Sequence, residues 1–165
     1  MNPVRENAWN ASGIPLIVND AVDVARACGA AGVHLGQNDA SPAEARRLLG
    51  PDTIIGLSVE TFEQAARAEK EDVDYLGVGP IFPTLTKTDA AAPWGLEELR
   101  RLRVGTRKPL VAIGGIDAAN AGSVIEAGAD GLAVVSAIGS AADPEAAARA
   151  LRTSIDQALS SRPRG

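Results

Sequence analysis

The run Leu132-Ala133-Val134-Val135, inside the strand candidate Gly131–Val135, has no polar residue alternating with its apolar ones. A strand with one face in water alternates apolar with polar. A strand covered on both faces reads instead as an unbroken apolar stretch, the mark of a parallel sheet under helices. Leu16-Ile17-Val18 reads the same way near the other end of the chain. Working outward gives six strand candidates: Pro15–Asn19, Gly32–Gly36, Ile54–Val59, Tyr75–Gly79, Leu110–Ile113 and Gly131–Val135.

Helix signals fall between these runs. Ser41-Pro42-Ala43-Glu44 is a capping box with proline at the first helical position, and Thr61-Phe62-Glu63-Gln64 is a second box. Asp117 is placed to cap a helix over 118–127 that stops at Gly128. A last helix from Asp143-Pro144 carries Ala147, Ala148, Leu151, Ile155, Ala158 and Leu159 at helical spacing. A βα unit thus recurs every ~20–30 residues, the rhythm of an α/β barrel or an open doubly wound sheet. A closed eight-unit barrel takes upwards of about 200 residues. The 165 residues here hold six units.

Composition narrows the function classes. With 45% hydrophobic residues the chain can build a core, and with 3% aromatic it suits tightly packed α/β layers better than a β-sandwich. A net charge of −5 argues against a broad nucleic-acid surface. Cys28 is the only cysteine and His34 the only histidine, which excludes a disulfide framework, a Cys/His zinc site and any Ser-His-Asp triad without His34. Cys28 reads as a packing residue and His34 as a satisfied buried histidine. No apolar run approaches the roughly 20 residues of a membrane span, and the start has no signal-peptide core. The expectation is a cytoplasmic protein acting on small molecules, with no nucleic-acid or membrane partner and with homo-oligomerisation left open.

In a parallel barrel or sheet, ligands collect at the carboxyl ends of strands. Asn19 and Asp20 end the first strand, and Asp39 follows the second. Asp20 also suits a helix cap, and Asp39 a surface turn. Two carboxylates on adjacent strand ends could share one hard cation, since magnesium takes one or two and leaves the rest to water and phosphate. Ser58 is released from capping by Thr61 and could hold a polar group or be a satisfied rim serine. The stiff Gly79-Pro80-Ile81-Phe82-Pro83 leads into Thr84-Leu85-Thr86-Lys87, two hydroxyls and an ammonium suited to phosphate or to a solvated loop tip. Gly114-Gly115 before a helix offers bare amides to a phosphate or makes a plain tight turn, with Val135-Ser136 ending the neighbouring strand.

Taken in order, Asn19-Asp20, Gly32-Val33-His34-Leu35-Gly36-Gln37 with Asp39, Gly56-Leu57-Ser58 and Tyr75-Leu76-Gly77-Val78-Gly79-Pro80-Ile81-Phe82-Pro83-Thr84 resemble the thiamine phosphate synthase family. Thr86-Lys87, Ala112-Ile113-Gly114-Gly115-Ile116 and Gly131-Leu132-Ala133-Val134-Val135-Ser136 extend the resemblance to seven motifs, covering roughly residues 14–159. The resemblance implies a TIM-type (β/α) barrel, here shortened to about six units. It implies a transferase that joins hydroxymethylpyrimidine diphosphate to hydroxyethylthiazole phosphate, releasing pyrophosphate, with Mg²⁺ as cofactor. By the same resemblance Asn19 would contact the diphosphate region, Asp20 and Asp39 would hold Mg²⁺, and Ser58 would hydrogen-bond the pyrimidine. Thr84, Leu85 and Thr86 would bind the thiazole phosphate together with Gly115, Val135 and Ser136, and Lys87 would bind the departing diphosphate. Ser58 and Lys87 are the expected catalytic pair.

The family has two further βα units before the position of Ile14, the second carrying a Gln/Arg/Lys cluster on the diphosphate, and nothing in residues 1–13 matches it. The expectation is an irregular segment over 1–13 and a partial barrel over 14–165, from a late-assigned start or a gene fragment rather than a diverged short protein. The first and last strands would then be exposed edges. The alternatives are a non-catalytic thiazole-phosphate-binding relative and a thiazole tautomerase-like barrel enzyme. Asn19-Asp20 and Thr84-x-Thr86-Lys87 favour the synthase over the tautomerase, which has no diphosphate to bind.

Overall fold

The computed structural model describes residues 13–84 and 92–161. Its strands are β1 (Ile17–Asn19), β2 (Gly32–Leu35), β3 (Ile54–Val59), β4 (Tyr75–Val78), β5 (Leu110–Ile113) and β6 (Gly131–Ala133). All pair in parallel, in the unbroken order β1-β2-β3-β4-β5-β6. A doubly wound sheet reverses its strand order partway. The sequential order is that of a TIM-type barrel, present here as six of its βα units.

Between the strands lie α1 (Val22–Cys28), α2 (Pro42–Leu49), α3 (Phe62–Ala68), α4 (Gly95–Gly105), α5 (Ala121–Glu126), α6 (Ser136–Gly139) and α7 (Pro144–Ser161). The caps read in the sequence start α2 and α3. Ser41 Oγ accepts from Glu44 N at 3.2 Å, and Thr61 Oγ1 from Gln64 N at 3.2 Å. Gln64 reaches back one residue further than a standard box, to Glu60 N at 2.6 Å. Asp143 Oδ1 accepts from Ala146 N at 2.9 Å at the start of α7.

Some boundaries move. Asp117 does not open a helix at 118, because its Oδ1 takes Ala119 N while Asn120 Oδ1 takes Asp117 N. This closed turn delays α5 to Ala121. Strand β6 stops at Ala133 rather than Val135, because the chain turns there into the one-turn helix α6. The position before α1 is Ala21, so Asp20 does not cap that helix.

The sheet's two faces differ. Val33, Leu35, Ile55, Val59, Leu76, Val78, Leu110 and Ala112 are fully buried. They alternate along their strands with Gly32, His34, Gly56, Ser58, Tyr75, Gly77, Val111 and Ile113, which therefore share the opposite, concave face. The apolar set packs under the helices, each large side chain contributing about 1.5–3 kcal/mol of burial.

The amino-terminal pole of the sheet carries two copies of one clasp. Asp74, just before β4, accepts from the first amide of the neighbouring strand's buried run, Ile55 N, at 2.7 Å and pairs with Arg46 of α2 at 3.0 Å. Asp130, just before β6, accepts from Leu110 N at 2.9 Å and pairs with Arg103 of α4 at 2.9 Å. Arg46 also reaches Asp72 at 2.9 Å and the carbonyls of Pro51 and Thr53. Among the described residues no helix is long and apolar enough to cross a membrane.

Candidate active site

Strand register builds the concave face in rows. Asn19, His34, Gly56 and Tyr75 lie side by side across β1 to β4, and Ser58 and Gly77 form part of a row nearer the strand ends. His34 is half-buried and has both ring nitrogens engaged: Nδ1 lies 3.0 Å from Tyr75 Oη and Nε2 2.8 Å from Ser58 Oγ. The His34 and Tyr75 rings stack, with centroids 5.5 Å apart. Two glycines make this possible. A Cβ on Gly56 would sit 2.2 Å from Tyr75 Cζ and 2.4 Å from His34 Nδ1, and one on Gly77 would sit 2.7 Å from His34 Cε1. Burial holds the His34 imidazole below its ordinary range, with Asp39's negative charge pulling weakly the other way. Its ring is therefore neutral at pH 7, one nitrogen donating and the other accepting. Burial pushes the Tyr75 phenol up, so it keeps its proton. Gln37 Nε2 donates to the Ser58 carbonyl at 2.6 Å, tying the β2 loop to the end of β3.

The two carboxylates sit at the ends of the first two strands. Asp20 has a φ of +62°, unusual for a residue with a side chain, and its amide donates to the His34 carbonyl at 2.8 Å. The bond carries the β1–β2 pairing one step past β1 and fixes where Asp20 emerges. Asp39 folds back so that Oδ2 accepts from Gly36 N at 2.6 Å. Both residues are exposed. Among the described residues no group of three or more His, Cys, Asp or Glu side chains gathers as a metal cage. A pair of carboxylates completed by water and phosphate oxygens is the magnesium mode.

On the other side of the rim the segment after β4 is clasped from both sides. Ile81 N donates to Ile113 O at 2.9 Å and Phe82 N to Gly114 O at 3.0 Å. Trp94 N and Gly95 N donate to the carbonyls of Pro80 and Ile81 at 2.8 and 2.9 Å. Gly115, at φ +66°, lies so close that a Cβ would come within 2.7 Å of Phe82 Cβ and Pro83 O. The Gly114-Gly115 turn and the segment leading to Thr84 thus touch. The β5–β6 register, with Ile113 beside Ala133, brings Val135 and Ser136 to the same rim. Val135 is 59% exposed despite being apolar, and Ser136 begins α6. A short extra helix beside the last strands is where barrels commonly seat a phosphate.

Of the residues expected from the sequence, Asn19, Asp20, Asp39, Ser58, Thr84, Gly115, Val135 and Ser136 all emerge at or just below the carboxyl ends of the strands. Leu85, Thr86 and Lys87 lie outside the described residues. Tyr75 joins this face without having been singled out from the sequence. The signal for it is phase: in Tyr75-Leu76-Gly77-Val78-Gly79 the aliphatic side chains take even positions, leaving Tyr75 with the glycines on the other face.

The sequential parallel sheet and its helices define a β/α barrel, with two acids on one side of its rim, glycine amides on the other and a polar His-Tyr-Ser line between them. A family model described as thiamine monophosphate synthase matches residues 5–138. A thiamine-phosphate synthase of Albidiferax ferrireducens is 62% identical over 144 residues, 87% of this chain and 66% of that protein. One from Chloroflexus aurantiacus is 56% identical over the same shares. A solved thiamine phosphate pyrophosphorylase from Pyrococcus furiosus superposes with a TM-score of 0.83 at 42% identity, covering 92% of this chain and 72% of that one. The chain belongs to the thiamine monophosphate synthase family, and it spans slightly less than two thirds of the first two relatives' length.

Proposed function

We propose that the chain carries the synthase reaction of its family: coupling of hydroxymethylpyrimidine diphosphate to hydroxyethylthiazole phosphate, giving thiamine phosphate and pyrophosphate. Family membership is the observation that carries this reading. The rim geometry supports giving individual residues a part in it. The methylene–oxygen bond of the diphosphate breaks first, leaving a pyrimidine-stabilised cation, and the thiazole nitrogen then attacks that carbon. An aromatic nitrogen needs no general base to act as a nucleophile, which agrees with a site whose one histidine is neutral.

The barrier lies in the negative charge that accumulates on the departing diphosphate, so fixed positive charge and amide dipoles aimed at it are the main catalytic resource. Lys87 is assigned to that diphosphate and Asn19 to its approach beside Asp20. Asp20 and Asp39 would hold Mg²⁺, which when bound supplies positive charge to the diphosphate oxygens. Ser58 faces the pyrimidine, held from below by His34 and at its carbonyl by Gln37. Thr84, Leu85 and Thr86, with Gly115, Val135 and Ser136, receive the thiazole phosphate.

Incubating the purified chain with both substrates and Mg²⁺, and following thiamine phosphate and pyrophosphate by chromatography, tests the proposal. Formation of both products in equal amounts is expected. Binding of the thiazole phosphate by calorimetry without any product would overturn it in favour of a non-catalytic relative.

A further inference from the structure

We infer that Tyr75 is a positioning residue which, through His34, fixes the Ser58 hydroxyl as a hydrogen-bond donor toward the bound substrate. The inference rests on the proposed function in taking Ser58 to face the pyrimidine. The relay itself stands on geometry: Tyr75 Oη, His34 Nδ1, His34 Nε2 and Ser58 Oγ form one line with spacings of 3.0 and 2.8 Å.

A neutral imidazole has one N–H and one lone pair, so the line has two polarities. In one, Tyr75 donates to Nδ1 and Nε2–H donates to Ser58, whose own O–H is left to point onward. In the other, Ser58 donates to Nε2 and Nδ1–H donates to Tyr75, leaving the phenolic O–H surplus. The two surplus protons have different surroundings. Tyr75 shares the row of His34 and Gly56, with its ring laid across Gly56, and among the described residues its hydroxyl pairs with His34 Nδ1. Ser58 lies one row nearer the strand ends, where ligands enter. Tyr75 and Ser58 are both half-buried, but a surplus proton on Ser58 lies where a substrate can accept it, whereas one on Tyr75 has no acceptor beyond His34 among the described residues. The outward polarity, Tyr75 to His34 to Ser58, puts the surplus donor where it can be used.

The consequence is a choice between atoms of an aminopyrimidine. A donating Ser58 is matched by a ring-nitrogen lone pair and mismatched by an amino group, so the relay sets which edge of the heterocycle is read. Gly56 and Gly77 supply the room, since a Cβ on either would push the ring off its line.

His34 is the only histidine, so untagged protein with ¹⁵N-labelled histidine gives the long-range ¹H–¹⁵N pattern of one imidazole. In ligand-free protein at a pH where the ring is neutral, the expected pattern is Nε2 protonated and Nδ1 bare, changing in Tyr75→Phe to a mixture of tautomers. In steady state, Tyr75→Phe is expected to raise KM for the pyrimidine diphosphate about 3- to 10-fold, the worth of one hydrogen bond, with kcat changed less than about twofold. Ser58→Ala, which removes the group in contact with substrate, should raise that KM at least as much and lower kcat as well, and the double variant should be no worse than Ser58→Ala. An Nδ1–H tautomer in the unsubstituted protein overturns the polarity, and additive effects of the two substitutions overturn the relay. The spectrum needs no turnover, so a failed relay and a failed synthase assignment give different results.

Discussion

Replacing Gly56 with alanine is the sharpest test of how tightly the concave face is packed. The added methyl would lie 2.2 Å from Tyr75 Cζ and 2.4 Å from both His34 Nδ1 and Tyr75 Oη. Reaching ordinary carbon contact requires the tyrosine ring to retreat by about 1.2 Å or more. That movement opens the 3.0 Å bond between Tyr75 and His34, which lie on either side of Gly56. Overpacking of this kind costs about 1–3 kcal/mol, and the lost hydrogen bond about 1 kcal/mol more. A total of roughly 2–4 kcal/mol corresponds to a fall in melting temperature of about 4–16 °C for a chain of this size. Urea unfolding followed by circular dichroism would read the change as a lower midpoint with an unchanged slope. The same substitution in a Tyr75→Ala background should cost less, because two of the three colliding atoms, Tyr75 Cζ and Oη, are gone while His34 Nδ1 remains. A stability change below about 0.5 kcal/mol in the single variant would refute the packing argument.

Four further outcomes are expected. Arg46→Ala strips the clasp at the amino-terminal pole, leaving the carbonyls of Pro51 and Thr53 without their donor and Asp74 with Ile55 N alone, so a loss of about 1–2 kcal/mol is expected, with substrate KM values unchanged in a kinetic comparison. Gly115→Ala puts a side chain at φ +66° against Phe82 and Pro83, and calorimetry should show thiazole-phosphate binding weakened on the order of tenfold. Asp39→Asn removes one of two carboxylates proposed for Mg²⁺ and should raise the Mg²⁺ concentration for half-maximal rate on the order of tenfold. Lys87→Ala should lower kcat about 10²- to 10³-fold while the circular dichroism spectrum stays unchanged.

Much of this molecule was legible because each central strand turns an apolar side under the helices. The runs 16–18 and 132–134, expected to be covered on both faces, are only half-buried because β1 and β6 are the edges of the sheet. Ile54–Val59 and Leu110–Ile113 match the observed strands residue for residue. The misplaced edges have local causes. The start of α5 shifted because Asp117 and Asn120 satisfy each other's backbone amides before any helix needs them, a competition between two good caps that spacing alone does not rank. The helix α6 is a single turn of Ser-Ala-Ile-Gly, too short for any periodicity to register. At the site, the rim acids and glycines were legible because they sit where strands must end. The Tyr75–His34–Ser58 line was not, because it depends on register across three strands, and a one-residue slip in any pairing would separate its members.

The paired arginine clasps have an evolutionary corollary. They fasten helices α2 and α4 to the sheet at the pole opposite the rim where the substrates are proposed to bind, through side-chain contacts to backbone. Fastener and workbench can then drift on separate clocks: a lineage could retune which heterocycle it accepts while the clasps that hold helices to sheet stay as they are.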